Sequence, residues 1–191
     1  MNIKVKLKKW FLYLIMWPHI LAYRFSKNRE KIAHDVIRRA LYKPYNYDKR
    51  TYACFCEALW REKEFRNVFY LRVGGILANI LNFFLPALDD LDLENCPSIG
   101  KGFCLIHGHG TIVNIASVIG DNCTMYHGVT IGAVEQYPPI IGDNVYIGCG
   151  AKVLGQIRIG NNVKIGAGAV VIKDVPDNAT VVGVPARILK K

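Results

Sequence analysis

A six-residue repeat in the second half of the sequence restricts the fold more than any other feature. From Ile99 onward an aliphatic residue returns every six positions, often followed by glycine. Twelve such hexads fit, with two extra residues between Leu105 and Val113 and four between Ile131 and Ile141. A period of six matches neither the α-helical turn nor the alternation of a simple strand. The pattern predicts a parallel β-helix in which three hexads form one triangular coil, so twelve hexads give about four coils.

Polar pairs between the hexads indicate the corners of these coils. They are Asp121–Asn122, Asp143–Asn144 and Asn161–Asn162. Asparagine tolerates positive φ better than most residues, so we expect tight turns there.

The first half of the chain has a different, helical pattern. Residues 24–64 and the apolar stretch 65–85 are predicted to be helical, with a break or bend at Gly74 and Gly75 and an end at Pro86. The polar stretch 89–97 then marks a boundary. We therefore predict an N-terminal basic and helical region, residues 1–90, and a β-helix acetyltransferase domain, residues 91–191; the chain as a whole is classed as mainly β.

The basic residues are concentrated at the N-terminus. Residues 1–50 hold 13 Lys and Arg against 3 Asp and Glu, which accounts for the whole net charge of +10. A basic domain wrapped around nucleic acid is unlikely, because the charge is confined to one end. The apolar run 10–23 is shorter than the ~20 residues that span a bilayer. Two alternatives remain for residues 1–23: a helix buried against the protein, or an interfacial segment on anionic lipid.

The cysteines indicate a reducing compartment and no metal site. Six are scattered along the chain without CxxC or other metal-ligand spacing, and we interpret them as free thiols in the cytosol.

Together these features resemble the left-handed β-helix acyltransferases, and within them the serine acetyltransferase branch. The resemblance covers residues 89–191. It is most specific in Asp92 followed fifteen residues later by His107, in the stretch IVNIASVIGDNCTMYHGVTIG, and in the ending VIKDVPDNATVVGVPARIL. It implies a left-handed β-helix, acetyl-CoA as the co-substrate, and a homotrimer with active sites between subunits.

Acetyl transfer from a thioester to a hydroxyl needs a general base with a pKa near neutrality. The resemblance assigns this base to His107 and the carboxylate that orients it to Asp92, in a direct attack without an acyl-enzyme. His127 occupies the equivalent hexad position one coil later, so we expect it on the same corner as His107. We predict that His127 and His109 bind substrate; an alternative base or a structural role stays open for His127.

Small residues let the pantetheine arm of acetyl-CoA approach the backbone. By position the resemblance predicts a cofactor-binding set in which Lys164 lies near the nucleotide phosphates: Ala133, Cys149, Gly150, Lys164, Ala167 and Lys173. Cys149, where the family usually carries Ala, is interpreted as a tolerated small residue and not as a nucleophile. Lys152 and Arg187 are either further phosphate ligands or solvated charges.

The acceptor is predicted from residues that differ from the serine enzymes. Serine is a zwitterion and needs a carboxylate and a cation to hold it. In that branch an Asp precedes the catalytic His, and an Arg-His pair precedes the proline of the loop after GVTIG. This sequence has Ile106, Gln136 and Tyr137 at those places. An apolar group, an amide and a phenol suit a sugar, so we predict that Gln136 and Tyr137 bind a saccharide. The stretch FRNVFYLRVG adds a resemblance to the O-acetyltransferases of bacterial capsule and exopolysaccharide assembly.

The leading prediction is an acetyl-CoA-dependent O-acetyltransferase that acts on a saccharide hydroxyl in capsular or exopolysaccharide biosynthesis. We expect it in the cytoplasm, peripheral at the inner face of the membrane. The alternative within the enzyme class is serine O-acetyltransferase of cysteine biosynthesis. The alternative from another class is an inactive β-helix scaffold at the membrane.

Overall fold

The computed structural model describes residues 3–43, 45, 48, 52–93, 96 and 98–189, with side chains described from Trp10 onward. The chain divides into two compact units, Met1–Ala87 and Leu88–Lys191. The division into a basic helical region, 1–90, and an acetyltransferase domain, 91–191, stays a prediction.

The first unit is helical throughout its described part. It contains α1 (Ile3–Phe25), α2 (Arg29–Arg39), α3 (Tyr52–Arg61), α4 (Lys63–Val73) and α5 (Gly75–Phe84). Gly74 separates α4 from α5 at φ +68°, which confirms the predicted break. A residue with a side chain is strained at this φ, so glycine ends α4 at little cost.

α1 is one continuous helix that includes Pro18 and buries one face in the unit. The buried face recurs every three or four residues at Leu12, Met16 and His19. It belongs to an apolar core whose largest members include Phe55 and Phe69, stacked edge to face at 5.2 Å. The sequence alternative of a packed helix is therefore correct for this face.

Charged side chains inside the helical unit are paired with one another. Glu62 accepts hydrogen bonds from Arg39 and from the Tyr45 hydroxyl, the latter at 2.8 Å. Arg72 donates to Asp35 at 3.0 Å, and both are buried. Removing one partner of such a pair leaves a buried charge uncompensated, at a cost of about 3–5 kcal/mol. These pairs therefore hold the packing of α2 against α3 and α4 in one arrangement.

A second apolar face of the helical unit is exposed. On α1 it follows helical spacing along one side, and α5 presents a similar side: Trp10, Leu14, Trp17, Leu21 and Phe25; Ile76, Leu77, Ile80, Phe83 and Phe84. A groove of about 570 Å³, lined by Trp17, Leu21, Phe25 and Leu77 among others, joins the two sides. We call these ten residues and this groove the helical apolar face. Among the helices that the structure describes, none is both long and apolar enough to cross a membrane.

The second unit is a β-solenoid of about four coils, as the hexads predict. Its strands are β1 (Cys104–Ile106), β2 (Ile112–Val113), β3 (Val118–Ile119), β4 (Thr124–Tyr126), β5 (Thr130–Gly132), β6 (Ile140–Ile141), β7 (Tyr146–Ile147), β8 (Lys152–Leu154), β9 (Arg158–Ile159), β10 (Lys164–Ile165), β11 (Val170–Val171), β12 (Thr180–Val182) and β13 (Arg187–Ile188). They form three parallel sheets in the orders β1-β4-β7-β10-β12, β2-β5-β8-β11 and β3-β6-β9, with β13 antiparallel to β12.

The strand register confirms the hexads and both insertions. Leu105 pairs with Met125, twenty residues on, whereas Val113 pairs with Ile131, eighteen residues on. The first insertion therefore lies between Leu105 and Val113. Ile119 pairs with Ile141 at a separation of twenty-two, which places the second insertion after Ile131. All twelve hexad residues are buried, and they stack as three ladders inside the solenoid.

Hydrogen-bonded side chains line one corner of the solenoid. Asn122, Asn144 and Asn162 have φ near +57°, as the polar pairs predict, and Asn178 continues the column. The Asn162 amide donates to Asn178 at 3.1 Å, and the Asp121 backbone N–H donates to the Asp143 carboxylate at 2.7 Å. The bond to Asp143 satisfies a backbone N–H that the sharp turn would otherwise leave unpaired, and the asparagine bond links the side chains of successive coils.

Candidate active site

The first insertion builds the turn that carries two of the predicted site histidines. It follows β1 and contains His107, Gly108, His109 and Gly110 before β2 begins. His107 has a left-handed backbone (φ +53°), as does Gly110 (φ +63°), and both histidine side chains are exposed. The buried Thr111 hydroxyl donates to the Tyr126 carbonyl at 3.2 Å and ties this turn to the next coil.

A column of residues runs from this turn down the same corner. The Gly128 N–H donates to the His109 carbonyl at 2.8 Å, and the Gly150 N–H donates to that of His127 at 2.9 Å. The same bond joins Gly168 to Cys149. His109, His127, Cys149 and Ala167 therefore occupy equivalent places on four successive coils, and we call them the corner column.

His127 lies beside both histidines of the insertion. The strand register pairs Ile106 with Tyr126, so His107 and His127 enter the corner together, as expected from their hexad positions. The two extra residues then bring His109 opposite His127 as well. The insertion thus places three histidine residues at one corner.

Asp92 lies on a segment that runs beside this turn. Its backbone N–H donates to the Thr111 carbonyl at 2.9 Å, and its carbonyl accepts from Val113 at 2.8 Å. It forms a parallel bridge with Ile112, so both side chains leave on the exposed side. The predicted orienting role of Asp92 toward His107 stays a prediction.

The carboxylate that the structure brings onto a histidine here is Asp90. His109 Nδ1 donates to it, at 3.0 Å from Oδ2 and 3.1 Å from Oδ1. Asp90 is not among the residues predicted from the sequence, where it stands in a run of acidic residues. Its separation from His109 is nineteen, against eighteen in a regular coil, so hexad spacing alone does not reveal the pair.

The second insertion forms a short exposed turn. Val134 and Tyr137 exchange two backbone hydrogen bonds of 3.3 and 3.1 Å, with Glu135 at φ +59° and Gln136 at the tip. Gln136 and Tyr137 are both exposed. Their roles in substrate binding stay predictions.

The predicted acetyl-CoA residues fall into two groups. Cys149 and Ala167 belong to the corner column, and Gly150 directly follows Cys149. Lys164 lies on β10 of the neighbouring sheet. Ala133 and Lys173 follow β5 and β11 at equivalent places, at the other end of the second sheet. Among the described residues, no group of three or more His, Cys, Asp or Glu side chains gathers to hold a metal ion.

Comparison with known proteins identifies the family. Residues 138–173 match the family model described as bacterial transferase hexapeptide (six repeats). The serine acetyltransferase of Bacillus pumilus is 39% identical over 137 residues, which are 69% of this chain and 62% of that protein. The Staphylococcus aureus enzyme of the same name is 48% identical over 105 residues, 53% of this chain and 49% of that protein. The chain thus spans less than two thirds of these curated relatives.

The solved structures decide the branch. Neisseria gonorrhoeae serine acetyltransferase (CysE) matches with a TM-score of 0.72 and 31% identity, over 86% of this chain and 68% of that one. Soybean serine acetyltransferase complexed with serine matches with a TM-score of 0.70 and 32% identity, over 84% and 69%. This chain belongs to the serine acetyltransferase family. That confirms the predicted hexapeptide-repeat fold and its serine acetyltransferase branch.

The predicted saccharide acceptor is wrong. The curated relatives and solved structures named above are serine acetyltransferases, and the resemblance to capsule and exopolysaccharide enzymes finds no support. The prediction depended on Ile106 together with Gln136 and Tyr137, and the structure buries Ile106, with 8% exposed. A side chain packed inside the solenoid is apolar because it belongs to the core, so it does not indicate which acceptor binds. Membership of the serine acetyltransferase family also removes the assignment to polysaccharide biosynthesis.

Proposed function

We propose that the protein is an acetyl-CoA-dependent serine O-acetyltransferase. The observation that carries the proposal is the corner where the first insertion places His107, His109 and His127, which we call the histidine corner. It occurs in a chain whose fold and sequence belong to the serine acetyltransferases. The product, an O-acetylated serine, has a better leaving group at its β-carbon, which suits the cysteine biosynthesis considered in the sequence analysis.

The proposed reaction is a direct acetyl transfer with His107 as the base. The imidazole takes the proton of the serine hydroxyl as that oxygen attacks the thioester carbonyl carbon. The carbon–sulfur bond then breaks, and His107 returns the proton to the departing thiolate of CoA. Asp92, on the adjacent segment, is proposed to orient the ring and stabilise its protonated form.

Acetyl-CoA is proposed to lie along the corner column. A Cβ built at Gly150 would meet no other atom within 4 Å, so the column is open on this side. The backbone there is accessible to an extended pantetheine arm. Lys164 and Lys173, both exposed, are proposed to pair with phosphates.

A homotrimer is proposed to complete the site. Cys149 and Ala133 represent the two groups of predicted acetyl-CoA residues, and they lie at opposite ends of one sheet. A cleft between two subunits could take one group from each, which supports the trimer expected from the resemblance. Sedimentation equilibrium would show three chains of 21.5 kDa.

The cytoplasm and a peripheral membrane contact are proposed as the place of action. All six cysteines are free thiols, and burial raises the pKa of Cys54 and Cys56 to about 12, which disfavours their thiolates and their oxidation. The helical apolar face, next to an N-terminus rich in lysine, has the composition of an interfacial segment.

The experiment that tests the function is a steady-state assay of CoA release with acetyl-CoA and L-serine. We expect turnover with serine, and a loss of about 10²–10⁴-fold in kcat for His107→Gln, because the general base is removed. The matched control is His34→Gln, a half-buried histidine on α2 that contacts the Glu30 carbonyl. Full activity of His107→Gln would exclude His107 as the base, and absence of serine turnover in the unaltered protein would exclude the function.

A further inference from the structure

A carboxylate–histidine pair in the same turn as the predicted base is held by two segments of the chain. His109 Nδ1 donates to the Asp90 carboxylate at 3.0 Å, and the Gly110 N–H donates to the Asp90 carbonyl at 3.0 Å. Asp90 therefore meets the insertion turn through both its side chain and its backbone. The backbone bond follows from the solenoid register and holds Asp90 beside this turn.

The pair is also open to a ligand. The His109 side chain is 62% exposed and that of Asp90 is 55% exposed. Nδ1 is the only nitrogen of His109 that the bond uses, so Nε2 can meet another group. A carboxylate has about four acceptor positions, so Asp90 can accept further hydrogen bonds.

Its position connects it with the acceptor. His109 follows His107 by two residues in one turn, and Asp90 precedes Asp92 by two residues in the segment that runs beside that turn. The pair therefore lies next to the groups proposed to carry out the acetyl transfer.

We propose that Asp90 and His109 bind the charged groups of the acceptor serine. This inference rests on the proposed function. The serine ammonium donates to Asp90, and His109 donates through Nε2 to the serine carboxylate while its Nδ1 donates to Asp90. A zwitterion carries its two charges on one carbon, and the pair presents the opposite charges side by side. Charge-assisted hydrogen bonds of this kind are the strong ones.

The pair supplies what three other positions lack. Ile106 is buried, and Gln136 and Tyr137 are neutral, so none of them offers a formal charge to a zwitterion. A serine enzyme with this sequence therefore needs anchors elsewhere. Asp90 and His109 bring both signs to the histidine corner.

The test measures kcat and KM of the full chain with three acceptors. They are L-serine, serinamide, which lacks the carboxylate, and 3-hydroxypropionate, which lacks the ammonium. We expect Asp90→Asn and His109→Gln each to raise the KM for serine by about 10–100-fold, with kcat and the KM for acetyl-CoA changed far less. Asp89→Asn, an exposed neighbouring carboxylate, is the matched control.

The two truncated acceptors separate the roles of the residues. His109→Gln should reduce the preference for serine over serinamide, because the amide has no carboxylate for the ring to bind. Asp90→Asn should reduce the preference for serine over 3-hydroxypropionate. Thermal unfolding of each variant distinguishes lost binding from lost structure.

Four results would overturn the inference. An unchanged KM for serine in both variants overturns the anchor alone, while the function stands. Equal losses with all three acceptors, or an equal loss in Asp89→Asn, also overturn it. Absence of serine turnover in the unaltered protein overturns the proposed function and the anchor with it.

Discussion

Burial changes the acid–base behaviour of single residues in the helical unit. His19 lies in the buried face of α1, with Nε2 3.2 Å from the Tyr70 hydroxyl. Burial, followed by the charge of Arg66, lowers the pKa of His19 to about 4. Arg66 in turn donates to the carbonyls of Leu59, Trp60 and Pro86, so its charge is fixed near this ring.

We expect His19 to make the folded state sensitive to mild acid. In the unfolded chain its pKa is near 6.5, so both states are neutral above that pH. As the pH falls from 6.5 toward 4, the unfolded state binds a proton that the folded state excludes, and the free energy of unfolding decreases. His19→Gln cannot titrate, so it should reduce the loss of stability measured by urea unfolding between about pH 7 and pH 5.5.

The control for this experiment is His34→Gln, which removes a half-buried histidine of α2. Equal pH dependence in His19→Gln and His34→Gln would contradict the role of His19. The measurement stays above the range in which most carboxylates titrate.

At the scale of elements, very short strands are stabilised by ladders. Most strands of the solenoid have two or three residues, too few for independent stability. Each buried aliphatic residue packs on those above and below it, as Ile147 does between Met125 and Ile165. The stability of each strand therefore depends on its neighbours in adjacent coils.

A ladder substitution should cost far more than the same substitution outside the ladder. Ile147 is 0% exposed, and Ile147→Ala should lower the free energy of unfolding by about 2–5 kcal/mol because it leaves a cavity. Ile172 is 50% exposed, and Ile172→Ala should change the free energy of unfolding by about 0.5 kcal/mol or less. Chemical denaturation measures both, and equal costs would contradict the ladder account.

At the scale of the whole molecule, the two units differ in surface and in role. The β-solenoid carries the candidate site, while the helical unit carries the excess positive charge and the helical apolar face. Exposed apolar patches of this kind mark surfaces that meet a membrane or another protein. The excess of Lys and Arg in the same part of the sequence is the reason for proposing an anionic lipid surface and not a second copy with the same charge.

We expect the full chain to sediment with vesicles that contain anionic lipid, and less so as salt increases, because salt screens the lysines. The double variant Leu14→Ser, Trp17→Ser should weaken this binding, since each side chain buries apolar area in the interface. Ile172→Ser, an exposed apolar residue of the solenoid, is the matched control. Equal sedimentation of all three proteins, or none with any vesicle, would contradict the membrane contact.

The sequence by itself determined the body of the β-solenoid. The three ladders, the two insertions and the asparagine corners follow from periodicity, because each hexad residue must be buried whatever its neighbours are. The break at Gly74 likewise follows from local backbone preference. Near the C-terminus the hexads stop, yet Val175 and Val181 continue two ladders at a spacing of sixteen. Periodicity alone could not predict this shorter end coil.

Only the tertiary structure decided which polar side chains meet. The pairing of Asp90 with His109 depends on how a two-residue insertion shifts one coil against a segment nineteen residues earlier. The burial of Ile106 also depends on strand register, and without it an apolar residue next to the base suggests a sugar acceptor. The buried core positions follow from a six-residue pattern that repeats along the sequence. The contacts at an insertion depend on the strand register at that one place.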